Sequence, residues 1–327
     1  MIKVAILVFE DCTPISSIGA MEILRQSQAY YHPGLQANFP PPFFDVKLVS
    51  LKGKYVNASN GYPVYCHNEI AEVEKVDLVL ISSLDEKAEH LLPSLADYAP
   101  WLRKQHEAGA DIVSMCTGSF LLAESGLLDG KSATTHWALA DQFKKRYPKV
   151  NLKSEKIIVD EGRVCTCGGA LSYSNLMIYL VEKYIGKDVA INLSKFLVAD
   201  LWKHPQSSYA IFALQKSHSD EVILRAQEFI EQTYNKELPI EELASRFAVS
   251  ARNFIRRFKK ATGNTPGQYV QRVRIEAAKK YLEIEGDSVQ NITFDVGYED
   301  MSTFRKLFKK YTGLSPVDYR KKYMRAA

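Results

Sequence analysis

VSARNFIRRFKK at residues 249–260 and EDMSTFRKLFKK at residues 299–310 decide how this chain is read. Moving the first by fifty positions sets Phe254, Phe258, Lys259, Lys260, Thr262, Gly263, Pro266 and Tyr269 on Phe304, Phe308, Lys309, Lys310, Thr312, Gly313, Pro316 and Tyr319. Eight identities at one offset mark an internal repeat. In each copy the two phenylalanines stand four apart, with Ile255 or Leu307 on the same side. That is the spacing of a helix with one apolar stripe. The opposite face is polar and cationic, with Arg252, Asn253, Arg256 and Lys259 in the first copy and Ser302, Arg305, Lys306 and Lys309 in the second.

A cationic helix face alone is ordinarily a solvated face, and the upstream residues change that reading. Residues 239–244 read as a short helix and residues 247–250 as a tight turn, with Ser250 placed to cap the helix that follows. A short helix, a turn and a polar second helix make a helix-turn-helix, whose second helix fits a major groove. The second copy repeats it, with a helix at 292–296, a turn at Gly297-Tyr298 and a helix from about Asp300. Between the copies, Thr265, Pro266 and Gln268 supply an N-cap, a first-turn proline and a capping-box partner. The stripe Tyr269, Val273, Ala277 and Tyr281 then predicts one long connecting helix up to Gly286, and Ser315-Pro316 starts a last helix.

The DNA-facing residues expected from this pattern are Ser250, Arg252, Asn253, Arg256, Arg257 and Lys260, then Ser302, Thr303, Arg305, Lys306 and Lys309. Arg252, Asn253 and Arg256 lie on the first turns, where a groove-inserted helix meets base edges. Lys259 and Lys260 lie further along, where phosphates are met. Glu299 and Asp300 place negative charge at the start of the second helix, which predicts weaker base reading there.

Residues 220–327 resemble the two-helix-turn-helix DNA-binding domain of AraC-family transcription regulators. The stretch FDVGYEDMSTFRKLFKKYTGLSPVDYRKKY at 294–323 resembles that family's signature segment almost throughout. The resemblance implies a double-stranded DNA operator and RNA polymerase as partners, and family habit favours activation.

The rest of the chain frames this domain. At 327 residues it is long enough for two cores, and 46% hydrophobic with 24% charged residues is an ordinary globular composition. Residues 220–327 hold 20 Lys/Arg against 15 Asp/Glu, so the whole +4 net charge belongs to the repeat region, as a polyanionic partner requires. No apolar run reaches membrane-spanning length, and the opening MIKVAILVFEDC lacks a cleavage pattern, so a cytoplasmic protein without a membrane partner is expected. Cys165 and Cys167 lack a second Cys/His pair at zinc spacing and read as buried thiols. No metal or cofactor is expected.

Residues 1–203 alternate strands and helices, which predicts an α/β domain with a mostly parallel sheet flanked by helices, followed by an all-α C-terminal domain. Strands are expected at 2–9, 45–50, 76–81, 110–115, 157–159 and 164–167, with a hairpin-like polar stretch between the second and third, and helices at 16–30, 96–108, 118–125, 142–147 and 171–184. Pro40-Pro41-Pro42 forms a loop of open role. Residues 204–219 read as the linker, with the apolar patch YAIFAL packed somewhere.

Within that domain DIVSMCTGSFLL delivers Cys116 from a strand to a sharp turn, and Thr117 and Gly118 open a helix. This is the strand–nucleophile–helix elbow, in which small residues permit close backbone approach and the helix end favours a thiolate. His136, in ATTHW, is the neighbour expected for Cys116, and the backbone N–H groups of Thr117 and Gly118 are expected to face a bound molecule. These segments, with VAILVF and SGLLDGKSATTHWAL, resemble the PfpI/ThiJ class I glutamine-amidotransferase-like superfamily, in the version fused to AraC-type domains. Members that use the cysteine chemically place an acid just after the first strand, and that position falls here on Ser16, with Glu22 too far round the helix to substitute. The resemblance therefore implies a degenerate pocket that senses a small polar, nitrogen-containing metabolite in a homodimer, not an enzyme. The alternative is a cysteine-dependent C–N hydrolase or hydratase with an accessory DNA-binding domain.

Overall fold

Short strands rich in buried apolar residues dominate the first half of the chain, as a sheet covered on both faces requires. In chain order they are β1 (Ile2–Leu7), β2 (Phe44–Ser50), β3 (Tyr55–Ala58), β4 (Tyr62–Tyr65), β5 (Asn68–Glu69), β6 (Leu78–Ile81), β7 (Asp111–Met115), β8 (Ser132–Ala133), β9 (Asn151–Leu152), β10 (Ile158–Asp160) and β11 (Val164–Cys167). The computed structural model describes residues 1–30, 42–84, 96–199, 205–284 and 286–324. It divides into two units, Met1–Gln206 and Ser207–Ala327.

Seven strands form one sheet in the order β10-β11-β7-β6-β1-β2-β5, parallel throughout except for the β10–β11 pair. The register aligns Leu7 with Ile81, Ile81 with Ser114, and Cys167 with Met115, so β1, β6, β7 and β11 end together. From β1 the chain runs to β2 on one side and later to β6 on the other. That is a topological switch point, and open α/β sheets bind ligands outside the strand ends there. The flanking helices are α1 (Pro14–Gln26), α2 (Ala99–Glu107), α3 (Ser119–Glu124), α4 (Ala140–Arg146), α5 (Tyr173–Tyr184) and α6 (Lys187–Phe196).

Several boundaries differ from the sequence reading. Pro14 supplies the first-turn proline of α1, which stops at Gln26 before one 3₁₀ turn, Ser27–Tyr30. The hairpin-like stretch expected between the second and third predicted strands is indeed an antiparallel hairpin, β3–β4, followed by the short edge strand β5. Helix α6 had no expectation, although Val189, Ala190 and Leu193 bury its apolar stripe. Of the proline loop only Pro42 lies among the described residues. All five cysteines are buried and none is in a disulfide. Burial pushes the Cys12 thiol up to about 12 and Cys66 up to about 11, so both stay protonated at neutral pH.

The second unit is all α: α7 (Glu221–Thr233), α8 (Ile240–Arg246), α9 (Ala251–Thr262), α10 (Pro266–Glu283), α11 (Val289–Asp295), α12 (Met301–Thr312) and α13 (Pro316–Tyr323). It has two cores. Ile223, Ile230, Leu243, Phe254, Phe258 and Tyr269 build the first, and Ile275, Leu282, Ile292, Phe304, Phe308 and Tyr319 the second. Helix α10 serves both, and this corrects the single stripe read from the sequence. Tyr269 and Val273 face the first core, Ile275, Ala278 and Leu282 the second, and Tyr281 is 40% exposed. Eighteen residues give it a length of about 27 Å. The expected linker divides between the units. Gln206 belongs to the first, whereas Phe212 stacks edge-on against Tyr269 (5.4 Å) and the Ala210 carbonyl accepts from Lys279 Nζ (2.7 Å) in the second.

Candidate functional site

In the second unit, α8–α9 and α11–α12 are the two helix-turn-helix pairs. Ser250 Oγ caps α9 by accepting from the Asn253 amide (3.4 Å). Phe254 and Phe258 point inward, fully buried, while Arg252, Arg256, Lys259 and Lys260 are exposed and Asn253 is half-buried. Arg256 Nη2 donates to Asn253 Oδ1 (2.9 Å), so the two side chains best suited to bidentate base contacts are held side by side.

On α12 the exposed residues are Ser302, Thr303, Arg305, Lys306, Lys309 and Lys310. Its cap is anionic: Asp300 accepts from the Ser302 (3.1 Å) and Thr303 (2.6 Å) amides. Hydrogen bonds from Thr303 and then Ser302 hold the Asp300 carboxyl below its usual range.

Arg257 is a correction. Expected on the DNA face, it turns back instead, and its Nε and Nη2 donate to Asp220 Oδ2 (2.9 Å) and Oδ1 (2.6 Å). Asp220 is itself the N-cap of α7, accepting from the Ile223 amide (3.3 Å). A bidentate pair fixes the guanidinium at this packed edge. The spacing of α9 alone cannot show it, because the partner lies 37 residues upstream.

At the sheet end of the first unit, Cys116 follows β7 directly with φ 52°, the strained turn of an elbow, and is 6% exposed. Gly118 is required there: a Cβ would stand 2.5 Å from the Ser82 carbonyl oxygen. Thr117 latches the same edge, its Oγ1 donating to the Leu84 carbonyl (2.8 Å) and accepting from the Leu84 amide (2.6 Å). The expected proton acceptor position is committed elsewhere. Ser16 donates to the Thr13 carbonyl (2.8 Å) and accepts from the amide (3.1 Å) and hydroxyl (3.0 Å) of Ser83. One donor and two lone pairs are then all used. Glu22 is exposed on α1 and bonded by Gln26.

His136 is half-buried, its Nδ1 accepting from the Ala138 amide (3.3 Å). Its segment meets the elbow through Ser119, whose hydroxyl donates to the Cys116 carbonyl (3.1 Å) and bonds Thr135 Oγ1 (2.8 Å). Gln206, missed from the sequence, plugs into this segment. Its Nε2 donates to the carbonyls of Thr135 (3.0 Å) and Ser154 (3.0 Å), and its Oε1 accepts from the Trp137 amide (2.9 Å). A Cβ on Gly168 would lie 2.3 Å from that Nε2, so glycine makes room for the plug.

A sheet of this order, with a cysteine elbow after β7, matches a known architecture. Residues 2–183 match the model of the DJ-1/PfpI family. The chain belongs to the DJ-1/PfpI family. In this DJ-1/PfpI protein residues 243–322 match a helix-turn-helix domain model of AraC type. The HTH-type transcriptional regulator CdhR of Pseudomonas aeruginosa is 28% identical over 270 residues, covering 82% of this chain and 79% of the relative. GlxA of Rhizobium meliloti, also named an HTH-type transcriptional regulator, is 23% identical over 282 residues, 86% of each chain. A crystal structure from Vibrio parahaemolyticus, assigned as a transcriptional regulator protein, superposes on 60% of this chain and 98% of its own with TM-score 0.51 and 26% identity. Drosophila melanogaster DJ-1beta, at 18% identity over 61% of this chain and 98% of its own with TM-score 0.50, shares the fold.

Proposed function

We propose that this DJ-1/PfpI protein is a DNA-binding transcription regulator whose first unit senses a small polar molecule at the Cys116–His136 edge. The observation that carries the reading is the pair of helix-turn-helix units, each with its phenylalanines buried and its cationic side chains exposed. Its similarity to chains named HTH-type transcriptional regulators supports it. Cys116 acts here as pocket wall and not as nucleophile, because the Ser16 hydroxyl is saturated by Thr13 and Ser83 and has no capacity to take a thiol proton. Gln206, the last residue of the first unit, is hydrogen-bonded to the Thr135–Trp137 segment, so a molecule bound there would act on the end of that unit. Activation through RNA polymerase belongs to the same reading.

Thermal shift of the full chain against nitrogen-containing metabolites tests the sensing claim. A ligand at 100 times its Kd stabilises by about 2.7 kcal/mol. Cys116→Ser should abolish that shift and leave ligand-free DNA affinity unchanged. Amide turnover that vanishes in Cys116→Ser would replace sensing by catalysis.

A dimer is part of the proposal. Ile15 and Ile18 of α1 are 49% and 42% exposed and line a groove of about 460 Å³ with Pro14, Gly19, Glu22 and Tyr62. Exposed apolar residues grouped on one helix fit a self-complementary face. Sedimentation of the full chain should give a dimer, and Ile18→Glu a monomer. A wild-type monomer at micromolar concentration would end this part of the reading.

A further inference from the structure

The two helix-turn-helix units are joined by more than the shared helix α10. Arg274, midway along it, has its guanidinium spread over three backbone carbonyls. Its Nε donates to Tyr234 O (2.7 Å) and its Nη2 to Lys236 O (2.8 Å), both in the loop between α7 and α8. Its Nη1 donates to Gly297 O (2.7 Å), in the turn between α11 and α12. The same guanidinium lies 5.2 Å from the Tyr298 ring centroid. One side chain thus grips the first half of the unit with two donors and the recognition turn of the second half with the third.

Those two segments also touch directly. Gly297 has φ 88°, and a Cβ there would stand 2.7 Å from Asn235 O and 2.9 Å from Asn235 Cα. Backbone therefore packs on backbone, closer than any side-chain-bearing residue permits. Arg272, two residues before Arg274, adds a second tie, its guanidinium 5.1 Å from the Phe212 ring and 5.5 Å from the Tyr311 ring. Phe212 packs on the first core and Tyr311 on the second.

A helix alone leaves this joint soft. A bundle pivoting about one shared helix changes the twist between its two recognition helices without breaking either core. Duplex DNA is unforgiving of that, because one base pair moves the next groove by about 3.4 Å and turns it by roughly 35°. We propose that Arg274 is a positioning residue for DNA recognition: it fixes the angle between α9 and α12, and so the helical phase of the two half-sites the protein accepts. Arg274 would act through these three carbonyls, not through a contact of its own with DNA. Arginine is needed because the three carbonyls lie in different directions and only a planar fork reaches all of them.

The inference rests on the DNA-binding reading, and the experiment separates the two. An operator is first selected from random duplex by the wild-type full chain, and failure to select any sequence would count against DNA binding itself. Affinity is then measured on three duplexes: the selected operator, the operator with one half scrambled, and the operator with one base pair inserted between halves. Wild type should lose about 100-fold on insertion, the scale of a lost intramolecular second contact. Arg274→Gln should bind the parent operator about tenfold more weakly, bind the half-scrambled duplex as wild type does, and lose most of the insertion penalty. Equal weakening on all three duplexes would make Arg274 merely structural and overturn the proposal, as would an unchanged insertion penalty. Arg274→Lys, which keeps the stem and one donor, covers the case of an unfolded glutamine variant and is read by the same two outcomes.

Discussion

The two helix-turn-helix units share a core and differ at the surface. Phe254 and Phe258 sit 5.6 Å apart between ring centroids, as do Phe304 and Phe308. Phe258 meets Tyr269 at 5.3 Å, and Phe308 meets Tyr319 at 5.4 Å. Gly263 and Gly313 end the recognition helices at φ 73° in both copies. The turns do not match. The first runs from Phe247 to Ser250 with Ala248 at φ 55°, and the second has one residue more, with Gly297 at φ 88°. The caps differ too, a neutral Ser250 against an anionic Asp300. Arg257, held by Asp220, corresponds to the apolar Leu307. Packing preserved the helices while the turn and the charge at its mouth diverged. The first copy therefore carries Arg252, Asn253 and Arg256 behind a neutral cap. The second docks its turn on the first and carries its cationic face behind a carboxylate.

The largest difference should come from the turns. Gly297→Ala forces both a positive φ and a clash with Asn235 backbone, and should cost about 3 kcal/mol in denaturant unfolding. Ala248→Gly removes a left-handed alanine, worth about 1–2 kcal/mol, against a chain-entropy loss of about 0.5–1 kcal/mol, and should be neutral or slightly stabilising. Equal losses at both positions would mean the turns are not distinguished as described.

A smaller effect belongs to Asp220, which the second copy lacks. Arg257, and then the Ile223 amide, hold its carboxyl below 3.8, the ordinary value. A depressed folded-state pKa means the contribution is complete above the unfolded value and is lost as pH falls through the folded one. Stability should therefore drop as pH falls below about 4, and Asp220→Asn should remove about 1 kcal/mol at pH 7 and flatten that part of the profile. A variant with the wild-type acid profile would show that the pair contributes nothing.

Much of this was legible in the sequence, for physical reasons. The phenylalanine repeat, Ser250, Thr265 and Ser315 as caps, and the elbow at Cys116 are local signals with fixed spacing. Other features had no such signal. All eight matched positions lie in or after the recognition helices, so the offset of 49 between α8 and α11 was hidden by the extra turn residue. Arg274 and Gln206 act through backbone carbonyls, which carry no residue code. Arg257 read as one more cation on a cationic face until its partner, 37 residues away, was in view. Ser16 was legible as a missing acid, but not as the residue that bonds Ser83 at the end of β6.

The central claim is that α9 reads bases and the lysines beyond hold phosphates. Binding of wild type, Arg256→Ala and Lys260→Ala to a selected operator and to random duplex, across salt concentrations, tests it most directly. Arg256→Ala should lose about 1–3 kcal/mol on the operator, almost nothing on random DNA, and relax preference at one or two positions. Lys260→Ala should weaken both duplexes alike and flatten the salt slope by about one unit. If Arg256→Ala instead weakened operator and random DNA equally, with a flattened slope, α9 would be a phosphate-holding helix and the division of labour would be contradicted.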